Sequence, residues 1–281
     1  MDILLIFQAI VMGVVQGITE WLPISSTGHL ILFNEFMNMN VSDKFMETFE
    51  VVIQFGSILA VLVLYFEKLN PFTKKNPGEN YRFIGNINLK KDTINLYFKV
   101  LVAVLPAAVI GLLFDDKLNE IFYNAQTVSA TLIIYGVLFI VIESMNHTAK
   151  YDNLDTLSYK TAFFIGVFQI LALIPGTSRS GSTILGATLI GCSRGVAAEF
   201  SFFLAIPVMF GASALKLLKS GLAFTPSEWT TLVVGMIVAF AVSVAAIKFL
   251  VGYIRKHDFK GFGYYRIVLG ILLIIYFFVL N

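Results

Sequence analysis

The chain has 281 residues, of which 57% are hydrophobic and only 14% charged, with a mean hydropathy of +0.81. Soluble domains are about half apolar and about a quarter charged, so the composition excludes a soluble globular protein and marks an integral membrane protein. A net charge of +2 gives no basis for nucleic-acid binding, and the single Cys192 excludes an internal disulfide or a thiolate metal cluster.

The first segment, MDILLIFQAIVMGVVQG, has the apolar core of a signal peptide. It opens with Asp2 instead of a basic stretch and no small-residue cleavage site follows, so it is read as part of the mature fold. Crossing the hydrocarbon core takes about 20 apolar residues. Six stretches approach that length: 48–66, 94–114, 121–142, 197–218, 230–251 and 264–280. Two further apolar regions, 3–37 and 159–192, are interrupted near their middles by Pro23 and Pro175 among clustered hydroxyls. Each half is about 15 residues, short of a full crossing. Each region therefore predicts a re-entrant hairpin with a polar tip, tolerated at membrane depth only where protein or a water-filled cavity surrounds it. The stretch 67–93, with its turn formers and lysines, reads as a solvated loop.

The two broken regions resemble each other. At a shift of 153 residues GVVQ (13–16) falls on GVFQ (166–169) and SSTGHLIL (25–32) on SRSGSTIL (178–185). This predicts an all-α polytopic membrane protein forming a single domain over 1–281, with internal repeats over about 1–145 and 155–281. Each repeat holds one hairpin and three spanning helices. Three crossings is an odd number, so the second repeat is inverted relative to the first, as in many transporters, and the hairpin tips meet near the midplane. Basic residues orient the threading. One side receives Lys68, Lys74, Lys75, Arg82, Lys90, Lys91, Lys150, Lys160, Arg194, Arg255, Lys256, Lys260 and Arg266, the other Lys44, Lys117, Lys216 and Lys219. The rich side is cytoplasmic, which puts both termini and the mouth of the first hairpin outside.

In the first tip, ITEWLPISSTGHL, Gln16 and Glu20 share a helix face, and Ser26 and His29 are neighbours on the next one. In the second, LIPGTSRSGSTIL, Gly176 and Gly181 admit close backbone approach, Ser178 and Ser180 carry hydroxyls, and Arg179 offers a permanent fork of donors suited to phosphate. Half-helix N-termini add unpaired N–H groups and a positive dipole end. An arginine inside a membrane costs at least about 2.5 kcal/mol on insertion scales and is usually paired or functional. Simpler roles stay open: Glu20 as a structural partner of Arg179, Ser26 or Thr27 as helix caps, His29 as a packing residue. Glu50, Gln54 and Glu199 are further candidates to line the cavity, Lys99 and Lys248 read as snorkelling side chains, and His147 and His257 fall in polar loops without a role. By architecture alone a lipid-phosphate flippase or an anion transporter is the competing class.

QGITEWLPISSTGHL together with LIPGTSRSGSTI, in this order and separation, resembles the bacterial undecaprenyl-pyrophosphate phosphatases, the bacitracin-resistance family. The resemblance implies six spanning helices plus two re-entrant hairpins in an inverted repeat, and an enzyme of the bacterial plasma membrane. It would hydrolyse undecaprenyl pyrophosphate to the monophosphate carrier lipid of cell-wall synthesis. It implies Glu20, Ser26, His29 and Arg179 as catalytic, and Gln16, Ser25, Thr27, Gly28, Gly176, Ser178, Ser180 and Gly181 as substrate-binding. Family members with glutamate at the position of Gln16 have a second carboxylate that this chain lacks. The resemblance also implies dependence on Mg2+ or Ca2+, with Glu20 as the one candidate ligand, competition by bacitracin through binding of the lipid pyrophosphate, and a homodimer as one admissible assembly. Ser26 attacking phosphorus with His29 as its base, and His29 itself attacking, are both open.

Overall fold

Helix starts follow the capping residues written in the sequence. Asp2 accepts from the N–H groups of Leu4 and Leu5 to start α1 (Ile3–Thr19). After the break at Pro23 comes α2 (Ser26–Met37), and Ser42 caps α3 (Asp43–Leu64). A short α4 (Phe66–Leu69) leads into three small strands, β1 (Phe72–Thr73), β2 (Asn80–Ile84) and β3 (Ile87–Lys90), then α5 (Lys91–Phe122). Asn124 caps α6 (Ala125–Ser144), and Ser158 caps α7 (Tyr159–Ile170). The second break precedes α8 (Arg179–Ile190), followed by α9 (Arg194–Ser220). A Thr225–Glu228 capping box with Pro226 in the first turn opens α10 (Pro226–Ile254), and α11 (Lys260–Ile275) completes the helices. The structure is a computed structural model and describes residues 2–37, 39, 41–74, 80–84, 87–145, 148–220 and 224–280. Lys75 and His147 lie outside the described residues.

Among the described residues six helices are long and apolar enough to cross a membrane: Asp43–Leu64, Lys91–Phe114, Ala125–Ser144, Arg194–Leu215, Pro226–Ile254 and Lys260–Phe278. They coincide with the six expected stretches, offset by a few residues because caps, not hydropathy, set the ends. The 67–93 loop departs from expectation. Its alternating residues NYRFI and INLK pair as an antiparallel sheet of order β1-β3-β2, with Tyr81 opposite Leu89 and Ile84 opposite Ile87.

Packing exchanges partners between the halves. The broken helix α1 lies along α10, whereas its counterpart α7 lies along α5; α3 packs on α9 and α6 on α11. Close approach is made with small residues, as expected where lipid supplies no hydrophobic drive between helices. A Cβ on Gly13 would sit 2.8 Å from the Gly235 carbonyl of α10, and one on Gly166 would overlap the Ala103 carbonyl of α5. The largest buried cluster joins Trp21, Leu22 and Ile24 of the first break to Phe200, Phe202 and Phe203 of α9, with Trp21 edge-on to Phe202 at 5.5 Å. Lys99 does not snorkel: it is buried and donates to the carbonyls of Leu154 and Asp155. A bidentate Arg194–Glu143 pair (2.6 Å at its shortest), with the Phe259 N–H also on Glu143, ties the ends of α6, α9 and α11 together.

Candidate active site

The two breaks fold alike. Ser25 and Ser178, matched at the 153-residue shift, are the two non-glycine residues with positive φ among the described residues, at 74° and 71°. In each, the hydroxyl oxygen accepts the N–H three residues on, Gly28 for Ser25 (3.3 Å) and Gly181 for Ser178 (3.1 Å). Such backbone is costly for serine and persists where the surroundings hold it. The second tip is also fixed from the side. Gly176 has φ 86°, a Cβ there would collide with Thr131, and the Thr131 hydroxyl donates to the Pro175 carbonyl at 2.8 Å.

The tips meet. Arg179 Nη2 donates to Glu20 Oε1 at 2.9 Å, and its Nη1 donates to the Ser201 carbonyl at 2.7 Å. Its guanidinium lies over Trp21, 5.5 Å from the ring centroid. Glu20 Oε2 accepts from Gln16 Nε2 at 2.9 Å and from the Ser26 hydroxyl at 3.2 Å. The Ser180 hydroxyl reaches the carbonyls of Glu20 (3.2 Å) and Leu22 (3.3 Å) across the junction. The carboxylate thus accepts from one amide, one hydroxyl and one guanidinium, a set that fixes its orientation.

Exposure sorts the expected residues. Gln16, Ser25, Gly28, Gly176, Ser180 and Gly181 are buried, and the serines among them are spent on building the tips. Ser26, Thr27, Ser178 and Arg179 are only partly buried, so these four are open to an incoming group. All four stand at the starts of α2 and α8, where first-turn N–H groups lack helical partners. Together they offer hydroxyls, a guanidinium and two helix N-termini, which is the chemistry of an oxyanion or phosphate site.

His29 lies elsewhere than its spacing suggests. Its Nδ1 is 2.7 Å from the Ser25 carbonyl and its Nε2 is 2.7 Å from the Tyr265 hydroxyl, so both ring nitrogens are engaged and Ser26 turns to Glu20 instead. The Ser25 carbonyl, four residues back and also the acceptor of the His29 N–H, takes the ring nitrogen, a competitor that the i, i+3 spacing of Ser26 and His29 does not convey. Glu199 pairs with Lys68 at 2.9 Å, Glu50 has Tyr123 nearby, and Gln54 is half-buried in α3.

One residue of the junction was misplaced by its sequence context. Arg266, counted above with the loop charges, is fully buried in α11 and donates to Pro23 (3.1 Å) in the first tip and to Gly176 (2.8 Å) and Thr177 (3.0 Å) in the second. Its guanidinium also faces Tyr135, 5.4 Å from the centroid. Its place inside the apolar stretch 264–280 is the one signal that could have marked it, since charges within spans are usually functional or paired. Without Arg266 the basic residues still divide twelve to four between the sides.

Among the described residues no three His, Cys, Asp or Glu side chains gather into a metal site, and the Glu20 oxygens are already held by three donors. The side chains alone do not fit Mg2+ or Ca2+.

Comparison with known proteins gives a consistent picture. The family model described as bacitracin resistance protein BacA matches residues 9–272. The chain is 61% identical to an undecaprenyl-diphosphatase of Acetivibrio thermocellus over 97% of each sequence. It is 58% identical to undecaprenyl-diphosphatase 1 of Clostridioides difficile, covering 99% of this chain and 98% of that one, and 57% identical to an undecaprenyl-diphosphatase of Enterococcus faecalis, covering 98% of both.

Proposed function

The chain belongs to the bacitracin resistance protein BacA family, and on that premise we propose that it is an undecaprenyl-diphosphatase working at the junction of its two tips. It hydrolyses undecaprenyl pyrophosphate to undecaprenyl phosphate and inorganic phosphate, restoring the carrier lipid for another round of envelope synthesis. The observation that carries the residue assignment is the chain of bonds from Ser26 through Glu20 to Arg179, with Ser26 and Arg179 both accessible.

Phosphoryl transfer asks chiefly for positioning and for neutralisation of charge on the phosphoryl oxygens. Arg179, Ser178, Thr27 and the N–H groups opening α2 and α8 clamp the pyrophosphate. The Ser26 oxygen attacks the terminal phosphorus as its proton passes to Glu20, the bridging P–O bond breaks, and undecaprenyl phosphate leaves. Water then attacks the phosphoserine and frees Ser26 together with inorganic phosphate. Burial of the pair in apolar surroundings strengthens each of these electrostatic contacts relative to water. The described residues do not make a Mg2+ or Ca2+ site, so every step above is carried by the side chains and N–H groups of the tips. Bacitracin competes by sequestering the same lipid. Both termini and the mouth of the site face outward, and the two halves form an inverted repeat.

A second reading keeps His29 as the nucleophile: with Nδ1 bonded to a carbonyl, Nε2 is the nitrogen with the lone pair, and it attacks once the Tyr265 hydroxyl that now donates to it gives way. One experiment covers both. Protein purified in detergent, where no membrane sides exist and transport has no meaning, is given undecaprenyl pyrophosphate, and phosphate release and the trapped phosphoenzyme are followed. An acid-stable phosphoserine absent from Ser26→Ala is expected. An acid-labile adduct would move the attack to His29, and no phosphate release with or without divalent cation would sink the hydrolase itself.

A further inference from the structure

His29 is 5% exposed, and its ring is held from two sides by partners of different kinds. The Ser25 carbonyl can only accept, so Nδ1 carries the ring proton. In the neutral imidazole Nε2 then bears a lone pair, and the group 2.7 Å away is the Tyr265 hydroxyl, which must donate. The two rings lie parallel, 4° apart with centroids at 5.6 Å, so the tyrosine fixes the imidazole plane as well as its acceptor nitrogen. Tyr265 is adjacent in sequence to Arg266, which grips both tips from the same helix. It is itself 45% exposed, so it stands between buried His29 and the open side of α11.

We propose that Tyr265 is a positioning residue of this site, acting through His29: its O–H on Nε2 fixes the Nδ1–H tautomer, and with the parallel ring it holds the imidazole still at the start of α2. Two neighbouring residues of one helix then divide the support, Arg266 holding the tip backbones and Tyr265 the imidazole. Nothing in the tip motifs points to this, because the contact spans 236 positions of sequence. The inference rests on the second reading above, in which His29 acts at the phosphorus, since the Ser26–Glu20 mechanism gives His29 no step. The charged and titratable groups facing the imidazole are Tyr265 and Arg266, both on α11.

The test uses full-length protein in detergent with 15N-labelled histidine, the His29 signals being identified by their loss in His29→Gln. In the unsubstituted protein His29 is expected as the Nδ1–H tautomer with its Nε2 resonance displaced by an accepted hydrogen bond. Tyr265→Phe keeps the ring and removes the donor. Its Nε2 resonance should move to the position of an unbonded lone pair, kcat should fall about tenfold, and KM for undecaprenyl pyrophosphate should stay within about twofold. Unchanged His29 resonances and unchanged kcat in Tyr265→Phe would overturn the proposal. If Tyr265→Phe fails to fold, the unsubstituted spectrum decides, since an Nε2–H tautomer or an unbonded Nε2 contradicts the geometry. If His29→Gln keeps full activity while the Tyr265→Phe spectrum shifts as stated, the role of His29 fails and the positioning contact survives.

Discussion

Glu20 and Arg179 lie 159 positions apart in the chain and meet at 2.9 Å, with the arginine side chain 12% exposed and the glutamate 7%. A pair so enclosed is held by two opposed effects. Desolvation costs each ion several kcal/mol, and removing one partner leaves the other charge stranded, typically at about 3–5 kcal/mol. Arg179 differs from a purely structural ion because it remains accessible on the side of Ser26 and Thr27.

Arg179→Ala is therefore expected to lower kcat/KM about 1000-fold, the range for losing a preorganised charge donor to a phosphoryl group. Arg179→Lys should recover little of it, since one ammonium cannot bridge Glu20 and Ser201 as the planar fork does. Steady-state phosphate release from both variants, alongside thermal unfolding, separates the clamp from folding. Near-normal turnover in folded Arg179→Ala would remove the clamp from the mechanism.

Arg266→Gln removes a charge and at least two of the three bonds to tip carbonyls. Bonds from charged donors contribute about 1.5–3 kcal/mol each, so the variant should unfold at markedly lower temperature and lose activity together with stability. Arg266→Lys, compact and three-donor, should keep more stability than activity, because an ammonium cannot span Pro23 and Thr177 with fixed geometry. Equal thermal midpoints for all three proteins would show that the carbonyls find other donors.

Gln16→Glu would place a second carboxylate four residues from Glu20 on one helix face, where Gln16 now donates. Like charges so close repel unless a proton or cation separates them. Activity of this variant should depend more steeply on added Mg2+ or Ca2+ than that of the unsubstituted protein, measured as phosphate release across a chelator-buffered titration. An identical titration curve would mean that position 16 does not touch the cation.

Gly166→Ala should destabilise by about 1–3 kcal/mol, the usual cost of overfilling a packed contact, because its methyl would press on the Ala103 carbonyl. Gly252, in the last two turns of α10, has open space around it, and Gly252→Ala should be neutral or slightly stabilising. Thermal midpoints in one detergent compare the two directly.

Burial pushes the Cys192 thiol from 9.0 up to about 12. A group raised in the folded state leaves stability intact below its unfolded value and withdraws it above. Stability should thus decline from about pH 9 towards pH 12 as the unfolded thiol ionises alone. The decline should be shallower in Cys192→Ala, read by unfolding at pH 8 and pH 10.5. Maleimide should label native Cys192 slowly at pH 8 and denatured Cys192 rapidly.

The six spans and two interruptions were legible because they are written in one-dimensional signals: apolar runs of sufficient length, and prolines among clustered hydroxyls. The Gln16–Glu20 and Glu20–Arg179 contacts were legible too, one from helical spacing and one from the matched tips. What stayed hidden depends on backbone conformation or on remote helices. Ser25 holds a positive φ that serine does not advertise, and its carbonyl takes the His29 ring nitrogen. Tyr265, Arg266 and Ser201 enter from α11 and α9, and no local pattern ties them to the tips. The strands at 72–90 were hidden by the lysines and turn formers around them.

The matched serines at 25 and 178 carry one more consequence. The same loop geometry is used twice, yet the residue that follows it is Ser26 in one copy and Arg179 in the other. The two matched loops thus present different residues at equivalent places, a hydroxyl in one and a guanidinium in the other, both bonded to Glu20. Two identical loops would face each other with the same chemistry. The matched loops also differ at Thr27 against Ser180, His29 against Ser182 and Leu30 against Thr183, and at 26 and 179 the difference brings a separate partner from each loop to the one Glu20 carboxylate.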